Sequence, residues 1–172
     1  MYSLVSPSHP LLKQKVWKLG RPTLEAINIA HEMNVIMKVS GGIGIAANQV
    51  GVNMTIFLVE PSIVQKEFGK AFPDKICIYF DPLITYYSLD TYLTIEGCLS
   101  RPGESCCVRR HREIHLSYLS TGGLRMTLTA TGRLAQVIQH EVDHLNGLCI
   151  TDLEQFTYEE FRNERSANLT TS

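Results

Sequence analysis

His140, Glu141 and His144 stand in the run His-Glu-Val-Asp-His, two imidazoles four residues apart with a carboxylate beside the first. On a helix that spacing puts both rings on one face, one turn apart, where they can hold a single metal ion. The glutamate next to the first ring is then placed to move a proton of a metal-activated water. Val137, Ile138, Val142 and Leu145 surround the pair. The helix is therefore largely buried, and buried imidazoles and carboxylates need a partner. Core histidines satisfied by backbone groups are the bland alternative. The adjoining glutamate and the apolar helix favour a divalent cation.

Two histidines leave room for a third protein ligand and one open position in a catalytic tetrahedral site. Cys98, in Glu96-Gly97-Cys98-Leu99-Ser100, is the best candidate by residue type, and Gly97 permits close backbone approach to a ligand. Position alone leaves another cysteine or a downstream acid open. Cys77 and Cys149 read as core, while Cys106 and Cys107 fall in an Arg-rich segment that reads as a loop. A bound metal would keep Cys98 as thiolate and lower the pKa of a bound water to about 7. The chain reads as a metallohydrolase.

The elements that must carry these groups follow from periodicity. Thr23 to Lys38 is expected to be a helix, with Ile27, Ala30, Met33 and Met37 as its apolar stripe. Met54 to Glu60 and Ile76 to Phe80 read as strands, the second stopped by Asp81-Pro82. Ile84 to Ile95 is extended. Glu113 to Leu119 and Leu124 to Thr129 alternate and are joined by Ser120-Thr121-Gly122-Gly123 as a hairpin. A helix then runs from about Arg133 to Asn146, with Thr131 near its start and Gly147 past its end. The first 20 residues are expected to be irregular. The order implies an α+β fold, antiparallel strands around a core helix.

The 172 residues fit one domain, 1–172, with a polar tail from about 155 that holds at most a short, fraying helix. Hydrophobic residues make up 44% and the net charge is −1, so no global field draws nucleic acid. No run of about 18 apolar residues predicts a membrane span. Met1 to Pro7 lacks the basic start and apolar core of a secretory signal. Five cysteines, two of them adjacent, suggest reduced thiols and a cytoplasmic location.

Together these segments resemble the peptide deformylase family. Three motifs carry the resemblance in order: Gly42-Ile43-Gly44-Ile45-Ala46-Ala47-Asn48-Gln49, Glu96-Gly97-Cys98-Leu99-Ser100, and Gln139-His140-Glu141-Val142-Asp143-His144-Leu145-Asn146-Gly147. The first lacks the Gly-Lys-Ser/Thr ending of a phosphate loop and precedes a strand. The resemblance implies that Cys98, His140 and His144 hold the metal and that Glu141 is general base and acid. It implies that Gln49 and the backbone N–H of Leu99 steady the formyl oxygen, each donor worth about 3 kcal/mol. Gly44 and Gly97 would meet an extended peptide and Ile43 and Val137 would line a methionine pocket. Glu96 and Arg110 would support the ligands from behind. The implied substrate is the formyl-Met start of a nascent peptide, and the implied cofactor one Fe²⁺, with Zn²⁺, Ni²⁺ or Co²⁺ as substitutes. The expected assembly is a monomer without membrane or direct nucleic-acid contact.

Arg101, Ser105 and Arg133 depart from the family pattern. Arg101 and Arg133 stand where apolar residues are usual, and Ser105 where many bacterial members carry an arginine. They imply a divergent paralogue with altered side-chain preference downstream of formyl-Met. The tail sets Glu154, Glu159, Glu160 and Glu164 against Arg162 and Arg165, which does not support docking to a ribosome. Two rival readings remain: a zinc protease drawing its third ligand from Glu154, Glu159 or Glu160, and a peptide-binding protein without turnover.

Overall fold

A computed structural model of the chain describes residues 2–69 and 76–170. Its main sheet is apolar on both faces. Strand β2 (Ile56–Val59) reads Ile-Phe-Leu-Val with every residue buried. Successive side chains point opposite ways. Phe57 and Val59 join a core with helix α3 (Gly132–Leu145), while Ile56 and Leu58 join a second core with helix α1 (Leu24–Val39). Strand β3 (Cys77–Tyr87) divides in the same way, Cys77 and Tyr79 towards α3, Ile78 and Phe80 towards α1. The antiparallel sheet runs β1-β2-β3-β6-β7, completed by β1 (Gly44–Ala46), β6 (Glu113–Leu119) and β7 (Arg125–Thr131). A second sheet pairs β4 (Thr91–Cys98) with β5 (Arg101–His111). Side chains from β4 and β5 bond to α3 on its other side, so the expected α+β arrangement around the His-Glu-x-x-His helix holds.

The caps explain where the helices lie. Thr23 is extended and accepts from the Ala26 N–H at 3.1 Å, which starts α1. Thr131 is extended before α3 but its side chain makes no capping bond to the helix; its N–H donates to Glu67 at 3.0 Å instead. Gly147 takes φ +80° just beyond the end of α3, and a Cβ there would stand 2.7 Å from the Gln14 backbone nitrogen. Both the turn and the contact with the leading segment require glycine. That leading segment is mostly irregular, as expected, with one 3-10 turn at Pro10–Lys13.

Five points depart from expectation. β3 does not stop at Asp81-Pro82. Asp81 takes φ +43° and the ladder shifts between Phe80 and Leu83, so a bulge absorbs the proline that cannot donate. Residues 84–95 are not one extended run, because the chain turns between Tyr87 and Thr91 to change sheets. The Arg-rich segment holding Cys106 and Cys107 is strand β5, not a loop. Its faces are covered by different elements, so no simple alternation marks it. Finally, helix α2 (Pro61–Phe68) was not expected, although Pro61 at its first turn and Glu60 accepting from the Ser62 N–H at 2.6 Å are helix-start signals. The tail forms helix α4 (Tyr158–Thr170), longer than the short helix expected. No described helix is long and apolar enough to cross a membrane.

Candidate active site at a Cys-His-His triad

Cys98 closes β4, and α3 carries His140 and His144. The sulfur of Cys98 lies 3.1 Å from Nε2 of His144. Ligand atoms of Cys98, His140 and His144 all lie within 4.8 Å of one another. Among the described residues no other group of His, Cys, Asp and Glu converges in this way. The two rings stand 5.0 Å apart, as one helical turn requires.

A carboxylate network backs the triad. Glu96 Oε2 contacts Nδ1 of His140 at 2.9 Å, which selects the tautomer that leaves Nε2 for the triad. Arg110 grips Glu96 through both oxygens, at 2.9 and 2.8 Å, and reaches Asp143 at 2.6 Å. Gln136 donates to Glu96 at 3.0 Å and to Thr94 at 3.1 Å. Burial alone would raise the Glu96 carboxyl, but hydrogen bonds from Arg110 and His140 outweigh it and hold the group at about 2. Burial alone would likewise lower His140, but its bonds to Cys98 and Glu96 lift it to about 10, so without metal the ring holds a proton on Nε2 that a bound cation would displace. His144 is pushed well down, by burial first and then by the charges of His140 and Arg110.

These donors fit a divalent metal ion. One thiol sulfur and two imidazole nitrogens are borderline-soft ligands that suit late divalent ions. Nδ1 of His144 and Oε2 of Glu141 are buried with no hydrogen-bond partner among the described residues. Glu141 is held beside the triad with its carboxyl raised to about 7, chiefly by burial and against the pull of His140. That value suits proton exchange near neutral pH.

β1 supplies the opposite wall. It is an edge strand, and the Ile43 carbonyl accepts from the Glu60 N–H on the β2 side. Alternation then turns the N–H and C=O of Gly44 to the free edge. A Cβ on Gly44 would stand 2.9 Å from Cδ of Glu141 and 2.9 Å from Val137 Cγ1, so only glycine lets this backbone lie against the Glu141 carboxylate. Gly97 is different. A Cβ there would meet only the Glu104 carbonyl, at 3.8 Å, so its backbone lies open to the cleft that it lines.

Gln49 lies in a 3-10 turn, Ala47–Val50, directly after β1. Its Oε1 accepts from the Ala46 N–H at 2.8 Å, which turns Nε2 towards Ser100 Oγ at 3.0 Å and the Cys98 sulfur at 3.8 Å. Leu99 packs over Gly42, where a Cβ would stand 2.7 Å from Leu99 Cδ1. A cleft of about 370 Å³ opens on the triad. Ile43, Gly44, Gly97 and Val137 line it, and so do Arg101, Ser105 and Arg133.

Three contributors escaped the sequence reading. Ser100 is buried and holds Gln49. Asn48 is buried and donates to the His144 carbonyl at 2.5 Å, pinning the end of α3. Gln136 is buried and bridges Glu96 to Arg133. Its signal was present, since a glutamine one turn before His140 on an apolar helix face requires a partner.

Known proteins give a consistent picture. A family model described as Polypeptide deformylase matches residues 1–157. Peptide deformylase 2 of Gloeobacter violaceus is 38% identical over 146 residues, covering 82% of this chain and 75% of that protein. Peptide deformylase of Cytophaga hutchinsonii is 30% identical over 152 residues, covering 88% and 81%. Among solved structures, a peptide deformylase from Synechococcus elongatus in complex with actinonin superposes with a TM-score of 0.80 at 28% identity, covering 96% of this chain and 85% of that one. Peptide deformylase from Thermotoga maritima gives 0.79 at 27%, covering 89% and 97%.

Proposed function

The chain belongs to the peptide deformylase family, and on that premise we propose that it hydrolyses the N-formyl group from the formyl-methionine of newly made polypeptides, releasing formate and a free amine. The observation that carries this reading is the Cys98 sulfur 3.1 Å from His144 Nε2, with the Gln49 amide beside it. Cys98, His140 and His144 hold one divalent ion, Fe²⁺ in the cell, with Zn²⁺, Ni²⁺ or Co²⁺ able to replace it. When bound, that ion supplies the Lewis acidity that activates water and polarises the formyl carbonyl.

The protein's own groups do the rest. The free edge of β1 at Gly44 hydrogen-bonds the extended peptide, and Ile43 and Val137 receive the methionine side chain. Gly97 keeps the cleft open beside the bound chain. The Gln49 amide and the Leu99 N–H donate to the formyl oxygen as charge gathers on it. Glu141 takes the proton of the attacking water and returns it to the departing nitrogen, so the amine leaves neutral. Glu96, fixed by Arg110, orients His140.

Residues 1–172 act as one catalytic domain, a monomer in the cytoplasm. Its tail sets Glu154, Glu159, Glu160 and Glu164 against Arg162 and Arg165 and so does not support ribosome docking, and no step calls for a membrane or nucleic acid. The triad favours this reading over a zinc protease: it contains Cys98 and, among the described residues, no glutamate from the tail. Cys98→Ala should abolish metal retention, which a protease fed by a downstream acid would keep. A peptide-binding protein without turnover would lack the reaction altogether. The test is formate release from formyl-Met-Ala-Ser after anaerobic purification, with metal analysis. Metal-loaded protein that releases no formate would overturn the proposal.

A further inference from the structure

Arg101 and Arg133 both line the cleft that opens on the triad. Arg101 starts β5, and Arg133 sits in the first turn of α3. Neither is neutralised in the way Arg110 is. Arg133 makes one hydrogen bond, from NH1 to Gln136 Oε1 at 2.8 Å, and has no carboxylate partner among the described residues. Gln136 is itself tied to Glu96 and Thr94, so the arginine is anchored to the network behind His140 and is not a loose surface side chain. Arg101 reaches Glu104 only at 4.0 Å, and its Nε is buried with no hydrogen-bond partner among the described residues. Glu104 also lines the cleft and offsets part of this charge. The carboxylates of the network are already used, Glu96 by Arg110, His140 and Gln136, and Asp143 by Arg110.

We propose that Arg101 and Arg133 make this cleft select formyl-peptides with an acidic side chain shortly after the first residue. This rests on the deformylase reading and names the substrate class within it. Arg133, Val137 and Glu141 follow at four-residue steps on one helix face, so Arg133 stands roughly 12 Å along the helix from the proton-transfer group. An extended peptide advances roughly 3.4 Å per residue, and an arginine side chain adds several ångströms of reach. The second and third residues of the substrate therefore come within range of the guanidinium. A carboxylate there gains two-pronged hydrogen bonds, whereas a lysine meets like charge.

The experiment compares kcat/KM for formyl-Met-Asp-Ala and formyl-Met-Ala-Asp with their lysine counterparts. The aspartate peptide should win by about tenfold at one of the two positions at low salt, and the ratio should shrink at high salt. Arg133→Ala or Arg101→Ala should collapse that ratio towards unity, and the corresponding lysine variant should restore part of it. Equal rates for aspartate and lysine at both positions, or a preference that survives both alanine variants, would overturn the proposal. A protein that turns over no formyl-peptide would instead sink the deformylase reading. In that case, calorimetric binding of Met-Asp-Ala and Met-Ala-Asp against their lysine counterparts to the zinc-loaded protein decides the charge preference alone: a preference for aspartate at either position supports it, and equal affinities at both overturn it.

Discussion

Nδ1 of His140 and Oε2 of Glu96 stand 2.9 Å apart, joining helix α3 to a strand of the smaller sheet. This one contact sets the histidine tautomer and, through Arg110, the position of Asp143. Glu96→Gln preserves shape but removes the charge that makes the imidazole a better donor. It should weaken metal affinity by about 10- to 100-fold, as partners behind metal-binding histidines typically do. Competition with a chelator measures this, and an unchanged dissociation constant would refute the linkage.

Gly44 and Gly42 make a paired test of how tightly β1 is pressed against the site. A Cβ on Gly44 meets Val137 and the Glu141 carboxylate, whereas one on Gly42 meets the far end of the Leu99 side chain, which can move. Gly44→Ala must displace the Glu141 carboxylate, and under the proposed role of that group a misplacement of about 1 Å costs roughly 100-fold in rate. Gly44→Ala should therefore lose at least that much kcat/KM while keeping its metal, and Gly42→Ala should lose much less. Similar losses in the two variants would mean that the close packing at Gly44 has no part in the chemistry.

That contrast also marks what could be read from the chain alone. α3 was legible because its apolar period and its His-Glu-x-x-His spacing lie on one element. α1 and the β6–β7 hairpin were legible for the same local reason: a cap, a stripe, a turn. β5 was not, because Arg110 reaches back to Asp143 of α3 while its neighbour Arg109 pairs with Glu164 of α4, so its sequence records two different neighbours. Pro82 looked like a strand end because the bulge that accommodates it is set by pairing with β6, distant in sequence. The triad residues were legible by type. The roles of Ser100, Asn48 and Gln136 were not, since each bonds a group from another element.

Glu141 gives the metal-free protein a definite pH dependence. Burial lifts its carboxyl from the ordinary 4.5 to about 7. Between these values the folded state holds a proton that the unfolded chain has lost. Stability from this group therefore declines as pH rises through that window, by at most about 3 kcal/mol. Glu141→Gln removes the titration. In denaturant melts of metal-free protein, the variant should gain on the parent by about 2–3 kcal/mol between pH 5 and pH 8. Parallel pH profiles for the two proteins would exclude the effect.

Glu164 fastens the tail to the smaller sheet. Its Oε1 accepts the Leu93 N–H at 2.7 Å, on the edge of β4 that β5 does not cover, and its Oε2 lies 3.1 Å from Arg109 NH1. Arg109 in turn lies over the Phe156 ring, and the Phe156 N–H donates to the Cys107 carbonyl at 3.0 Å. The ion pair is partly solvated, so it contributes little, but the Leu93 N–H is largely shielded and would lose its acceptor. Glu164→Ala should cost about 1–2 kcal/mol of global stability and speed amide exchange at Leu93. Metal stoichiometry should stay at one per chain, because the triad is held from α3 and the far end of β4. Loss of metal along with the tail contact would mean that the tail supports the active site itself.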